Sequence, residues 1–152
     1  MLKTLRLRAL SDAPDAFART HAETSAQPDS YWDEMTRSVT EPGRHVMFVA
    51  EDDGVAVGMA FGVLQAATPD VPHVGGMWVA PDARLRGIGR ALTAAVLDWA
   101  RERGFARIAL WVTEGNAPAT SLYERMGFVA TGRKDRLAAN PALGILEMAR
   151  PL

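Results

Sequence analysis

The chain changes its hydrophobic period several times along its length. Leu5, Leu7 and Ala9 alternate with Arg6 and Arg8, which predicts a half-exposed strand. Ser11 or Asp12 then reads as a helix cap with Pro14 in the first turn. Ser30 to Val39 reads as a second, short helix, ended by Glu41-Pro42-Gly43. Val46 to Ala50 and Val55 to Leu64 are apolar runs, and Asp52-Asp53-Gly54 between them signals a hairpin. Gly58 and Gly62 inside the second run predict bulges or close backbone approach. Thr68-Pro69-Asp70 and Pro72 mark a loop, and Val74 to Val79 is a strand stopped by Pro81.

From Gly87 the period becomes helical. Ile88, Ala91, Leu92, Ala95 and Trp99 form one stripe, closed by Gly104. Ile108, Leu110 and Val112 alternate as a strand. Asn116 caps a short helix with the stripe Ala119, Leu122, Tyr123 and Met126, and Gly127 ends it. Phe128 to Arg133 and Gly144 to Ala149 predict closing strands. Strands and helices are mixed, with hairpins at both ends and a strand–helix–strand unit between. That is an α/β or α+β layer fold on a mainly antiparallel sheet.

Composition narrows the function classes. The 152 residues favour one domain, spanning 1–152. A net charge of −1 gives no general nucleic-acid or membrane surface. No apolar run approaches the roughly 20 residues of a membrane span, and the start, Met1 to Arg6, has no signal-peptide core, so a cytoplasmic protein is expected. The absence of cysteine excludes disulfides, thiolate metal sites and a cysteine nucleophile; no metal is expected. Residues 11–43 hold seven acidic groups against Arg19 and Arg37, and residues 84–107 hold six arginines against Asp98 and Glu102. These read either as two solvated faces or as a basic anion site beside an acidic lid for a cation.

The segment Val79-Ala80-Pro81-Asp82-Ala83-Arg84-Leu85-Arg86-Gly87-Ile88-Gly89-Arg90 runs from a strand through a basic, glycine-containing turn into a helix. The first turn of a helix has unpaired N–H groups and a partial positive charge, and glycine lets a phosphate approach closely. A phosphate or pyrophosphate site fits this physics, and so does a plain helix start packed on its glycines. A Walker loop is excluded, because Gly89-Arg90-Ala91 stands where it needs Gly-Lys and a hydroxyl residue. A dinucleotide fingerprint is excluded by Leu92 in place of its third small residue.

The pattern Arg84-x-x-Gly87-x-Gly89 after Val79-x-Pro81 resembles the acetyl-coenzyme A pyrophosphate motif of GNAT-superfamily N-acetyltransferases. A second block, Leu110-Trp111-Val112 with Asn116-x-x-Ala119-x-x-Leu122-Tyr123-Glu124-Arg125-x-Gly127-Phe128, is similar to the strand–helix segment that follows in that family. The two blocks cover about residues 74–132. The resemblance implies a central, mostly antiparallel mixed sheet of six to seven strands flanked by about four helices. It implies a transferase that moves the acetyl group of acetyl-CoA directly to a primary amine of a small molecule or protein. A homodimer is an expectation of the family alone.

The resemblance also implies roles. Arg84, Leu85, Arg86, Gly87, Ile88, Gly89 and Arg90 would cradle the pyrophosphate, mostly through main-chain N–H groups. Met77, Trp78 and Val79 would pair with the pantetheine arm as an added strand does, with Trp78 also reading as core. Asn116 would lie near the cofactor amide, besides capping its helix. Tyr123 would protonate the departing thiolate, or else belongs to the core with its stripe. Gly75 stands where many members carry a glutamate base; His73 and Glu114 are the nearest substitutes. The acidic segment 11–43 suggests a cationic acceptor, such as a polyamine, an aminoglycoside-like molecule or a protein amine. Two rivals are an acyl-CoA-binding module without catalysis and a transferase for a longer acyl group.

Overall fold

In a computed structural model of the chain, which describes residues 1–41 and 43–152, six strands form one sheet in the order β1-β2-β3-β4-β6-β5. The strands are β1 (His45–Asp52), β2 (Val55–Val63), β3 (His73–Val79), β4 (Arg107–Thr113), β5 (Val129–Leu137) and β6 (Asn140–Pro151). All neighbours are antiparallel except β3 and β4, which the helix α4 (Ile88–Glu102) joins as a parallel crossover. The remaining helices are α1 (Leu2–Asp12), α2 (His21–Ser25), α3 (Asp29–Thr40) and α5 (Ala117–Arg125).

The first element differs from the expected strand. Leu2, Leu5, Ala9 and Leu10 are buried, a spacing of three, four and one that belongs to a helix. The alternation of Leu5, Leu7 and Ala9 coincides with that stripe over too few residues to separate the two periods. Asp12 ends α1 instead of capping a later helix, and Pro14 opens a 3₁₀ turn, Pro14–Ala16. The short α2 was marked in the sequence by a capping box: Thr20 Oγ1 accepts from Glu23 N–H, and Thr20 N–H donates to Glu23. The helix expected at Ser30–Val39 is α3; of the stop expected after it, Pro42 lies outside the described residues.

Side chains alternate along the strands and build two cores. Ala60, Val74, Ile108, Leu110, Val112 and Met148 pack under α4 and α5 with Leu92, Val96, Trp99, Tyr123 and Phe128. On the opposite face Val57, Met59, Phe61 and Trp78 pack under α1 with Leu5, Ala9, Leu10 and Phe17. The two interior glycines of β2 allow α4 to come close, as expected. A Cβ at Gly58 would lie 3.1 Å from Leu92, and one at Gly62 would lie 2.7 Å from Trp99 and 2.8 Å from Val46.

Overpacking of this kind costs roughly 1–3 kcal/mol. Gly62→Ala should therefore lower the midpoint of thermal unfolding by roughly 2–10 °C. An unchanged midpoint would mean that the Trp99 contact is loose.

Candidate active site

β3 and β4 pair only at His73↔Ala109 and Val74↔Leu110, and then part. The cause is a bulge. Met59 faces Trp78 and Phe61 faces Gly75, so Ala60 on β2 stands against both Gly76 and Met77 on β3. Gly76 takes φ 56°, a left-handed conformation that glycine adopts without strain. A Cβ there would also strike the Phe61 ring at 2.6 Å.

Beyond the bulge one edge of β3 is free. Ala80 N–H donates to Val57 O at 2.8 Å, which fixes the phase of the ladder. In that phase Val79 turns its own N–H and C=O away from β2, toward the gap before β4. Arg84 Nε takes the Val79 carbonyl at 3.0 Å and leaves the Val79 N–H open. Met77 and Val79 send their side chains to the α4 face, while Trp78 points the other way and is core. Its indole N–H donates to Asp12 Oδ2 at 2.9 Å.

α4 begins where β3 opens. Leu85 (φ 62°) and Gly87 (φ 81°) are both left-handed, and Gly87 is the N-cap. Alternation of left-handed residues turns successive N–H groups to one side as a concave nest for an anion. The first bond into the helix runs from Ala91 N–H to Gly87 O. Among the described residues, the N–H groups from Leu85 to Arg90 have no protein acceptor. An anion at such a terminus gains roughly 0.3–2 kcal/mol from the helix dipole, beyond its hydrogen bonds.

The arginine side chains do not all face this nest. Arg84 pairs with Asp12 of α1, and Arg86 Nη1 pairs with Asp52 Oδ2 of β1 at 2.7 Å. Both pairs are half-exposed, so each adds little to stability. Their effect is orientation, since they draw two guanidinium groups off the main-chain turn. Arg90 is exposed and has no partner among the described residues.

α5 closes the gap. A Cβ at Gly89 would lie 3.3 Å from both Leu122 Cδ2 and Met77 Cε, so α4, β3 and α5 meet there with no room for a side chain. Tyr123, next to Leu122, is 6% exposed and stacks edge-on against Phe128 at 5.8 Å. Burial pushes its phenol up to about 12. The hydroxyl has no protein partner among the described residues, yet it is not among the fully enclosed orphan atoms, so it reaches accessible space. Asn116 caps α5, its Oδ1 accepting from Ala119 N–H at 3.3 Å.

The structure thus brings Met77, Val79, Leu85 to Arg90 and the α5 residues around one cleft. Glu114 and His73 are not in it. Glu114 sits past the end of β4, with its N–H on Gly144 O and its carboxylate 3.6 Å from Lys134, over β6 on the side of β4 away from β3. His73 starts β3, four residues before Met77, or about 13 Å along a strand. Its Nδ1 bonds to Val71 O at 3.0 Å, and burial lowers its pKa. The bulge at Gly76 and the half-buried Arg6 beside it carried no signal in the sequence beyond the pair Gly75-Gly76. Among the described residues no cluster of three or more His, Asp or Glu could hold a metal, and no helix is long and apolar enough to cross a membrane.

Known proteins share this arrangement. The profile of the Acetyltransferase (GNAT) family matches residues 8–128. A mycothiol acetyltransferase of Beutenbergia cavernae is 33% identical over 127 residues, covering 82% of this chain and 39% of the relative. A streptothricin acetyltransferase of Streptomyces lavendulae is 52% identical over 54 residues, or 36% of this chain and 29% of the relative. Among solved structures, a GCN5-related N-acetyltransferase from Kribbella flavida is 34% identical with a TM-score of 0.64, over 79% of this chain and 77% of that one. The chain spans 29–40% of the length of the curated relatives it matches. With the profile covering most of the chain and the parted strands, open turn and capped helix all present, this chain belongs to the acetyltransferase (GNAT) family.

Proposed function

We propose that residues 1–152 are one catalytic domain that transfers the acetyl group of acetyl-CoA to a primary amine of a small molecule or protein. The observation that carries the reading is the cleft itself: open N–H groups from Leu85 to Arg90, facing the free edge of β3 and the Tyr123 side of α5. The residues present fit the cofactor. The left-handed turn offers donors to a pyrophosphate, the space beside Gly87 is open, and the edge at Met77 and Val79 offers main-chain groups to an amide-bearing arm. Bound acetyl-CoA supplies an activated thioester.

The chain's own groups do the rest. The Val79 N–H is aimed to receive the negative charge that develops on the carbonyl oxygen. The neutral amine forms the C–N bond, the C–S bond breaks, and the amine gives up one proton to water. Tyr123 delivers a proton to the sulfur and recovers one from solvent. No cysteine exists to carry the acetyl group, which favours direct transfer with both substrates bound. Glu114, turned toward Gly144 and Lys134, has no part in this proton path. Asn116 holds the start of α5 and, through it, Tyr123.

Three outcomes test the reading. Acetyl-CoA at about 100 times its Kd should stabilise the chain by roughly 2.7 kcal/mol, raising the unfolding midpoint by several degrees, with NAD and ATP inactive. Gly89→Val, whose side chain would press on Met77 and Leu122 and displace the start of α4, should abolish that shift; a retained shift would put the cofactor elsewhere.

Tyr123→Phe should keep the acetyl-CoA shift and lower kcat by roughly a hundredfold or more. Unchanged turnover would leave Tyr123 as core alone and favour an acid from solvent.

The pH profile follows from the phenol. The acid form is the working form, and a pKa pushed up to about 12 keeps it protonated through the range in which amines ionise. The rate should therefore rise with pH along the ionisation of the acceptor amine and show no falling limb below about pH 11. A falling limb near pH 8 to 9 that disappears in Tyr123→Phe would contradict this.

A further inference from the structure

Eight arginines make neither an ion pair nor a side-chain hydrogen bond among the described residues, and seven of them are exposed; Arg6 is not. It projects from α1 into the apolar layer beneath the sheet. Its guanidinium lies 4.6 Å from the centre of the Phe17 ring and 6.0 Å from that of Phe61. Burial lowers its pKa, Tyr31 raises it, and the nearby Arg19 lowers it further. A cation over aromatic faces recovers only part of what desolvation costs an unpaired charge. The packing of this chain alone therefore leaves Arg6 without a partner of opposite sign.

Its position indicates what that partner would be. A Cβ at Gly76 would come within 3.1 Å of Arg6 Nη1, so the guanidinium touches the bulge immediately before Met77. Beside it, under α3, lies a cavity of about 470 Å³ whose walls are mainly Tyr31, Met35, Val39, Phe61 and Val63, with Glu34, Ser38 and His45 as its polar lining. Phe61 is a wall of the cavity and a neighbour of Arg6, and Tyr31 lines the cavity while influencing the charge on Arg6. A planar, forked cation thus stands next to the Phe61 wall of a mostly apolar cavity and against the Gly76 bulge of β3. Such a fork matches a carboxylate in two parallel hydrogen bonds.

Of the seven acidic groups in residues 11–43, three are committed elsewhere. Asp12 holds Trp78 and Arg84, Glu23 closes the capping box of α2, and Asp29 pairs with Lys3. Glu34 alone of these acids borders the cavity.

We propose that Arg6 determines acceptor specificity: the amine acetylated by this protein also carries a carboxylate, bound by the Arg6 guanidinium, with an apolar body in the cavity under α3. This rests on the acetyl-transfer reading, which it narrows to amino-acid-like acceptors. Arg6 is a binding group in it and takes no proton.

The test uses the full chain with acetyl-CoA and three matched amines: L-phenylalanine, L-phenylalaninamide and phenethylamine. Released coenzyme A is read with a thiol reagent, against no background from the cysteine-free protein. The native chain should prefer phenylalanine by about tenfold or more in kcat/KM, the scale of one charge-assisted contact. Arg6→Met should bring the ratio of phenylalanine to the other two toward one, and Arg6→Lys, which keeps the charge without the fork, should fall between. Arg6→Met removes an unpaired charge from an apolar layer, so its unfolding midpoint should equal or exceed the native one.

Equal use of the three amines by the native chain, or an equal loss on all three in Arg6→Met, overturns the proposal. If none of the three is acetylated, the acetyl-transfer reading fails for this class, and binding of L-phenylalanine by ligand-observed NMR decides the site separately. Binding lost in Arg6→Met upholds a carboxylate site without transfer, and no binding to the native chain at millimolar concentration overturns it.

Discussion

The parting of β3 from β4 is the constraint on which the rest of this structure depends. Two parallel strands joined by a helix ordinarily pair along their length, because each unpaired main-chain group left in an apolar place is costly. Here the ladder stops after His73 and Val74, and the bulge at Gly76 swings the end of β3 away. The separation exposes the β3 edge, aims the start of α4 at the same space, and lets α5 reach in from the other side with Leu122 and Tyr123. Without the bulge the sheet would close, and neither the turn at Leu85–Arg90 nor the phenol would face anything.

Charge is distributed to suit that opening. Two arginines of the basic turn are held outward by Asp12 and Asp52, one on α1 and one on β1. These half-exposed pairs are weak as stabilisers. They matter because they leave the main chain, not flexible side chains, as the surface of the turn. Asp12 also receives the Trp78 indole, so a single carboxylate fastens α1, the end of β3 and the turn before α4. Arg6 is the counter-example on the same helix: a guanidinium held by aromatic rings, with no acid beside it.

The phenol of Tyr123 has a similar double character. Its ring belongs to the core with Phe128, and its hydroxyl is not fully enclosed. Core and acid are therefore compatible descriptions of one residue: a phenol is protonated at neutral pH in any case, and the burial that fixes the ring extends that range by raising its pKa to about 12. Asn116 is comparable, since capping α5 is how it places the helix that carries the phenol.

Much of this was legible in the residues alone. The hairpin around Asp53-Gly54, the strand before Pro81, the amphipathic α4, the Asn116 cap and the closing strands follow from local periods and turn chemistry that act over a few residues. The basic turn at Arg84–Arg90 leading into α4 was legible for the same reason: glycine and a change of period mark a helix start. Other features were decided by tertiary packing. The stripe Leu2, Leu5, Ala9 and Leu10 and the alternation of Leu5, Leu7 and Ala9 share Leu5 and Ala9 under two periods, and only the apolar face of β2 and β3 chose the helix. The partners of Arg84 and Arg86 lie 72 and 34 positions away, beyond any local rule. Glu114 sits next in sequence to the cleft strand β4, but the pairing of β4 with β6 turned it to the far side. The bulge at Gly76, and Arg6 beside it, needed the register of β2 against β3. By itself, then, the sequence determined which segments form most of the elements and where a basic turn leads into a helix start. The tertiary structure decided which side chains remain to act there, because burial and charge pairing join residues that the chain order keeps apart.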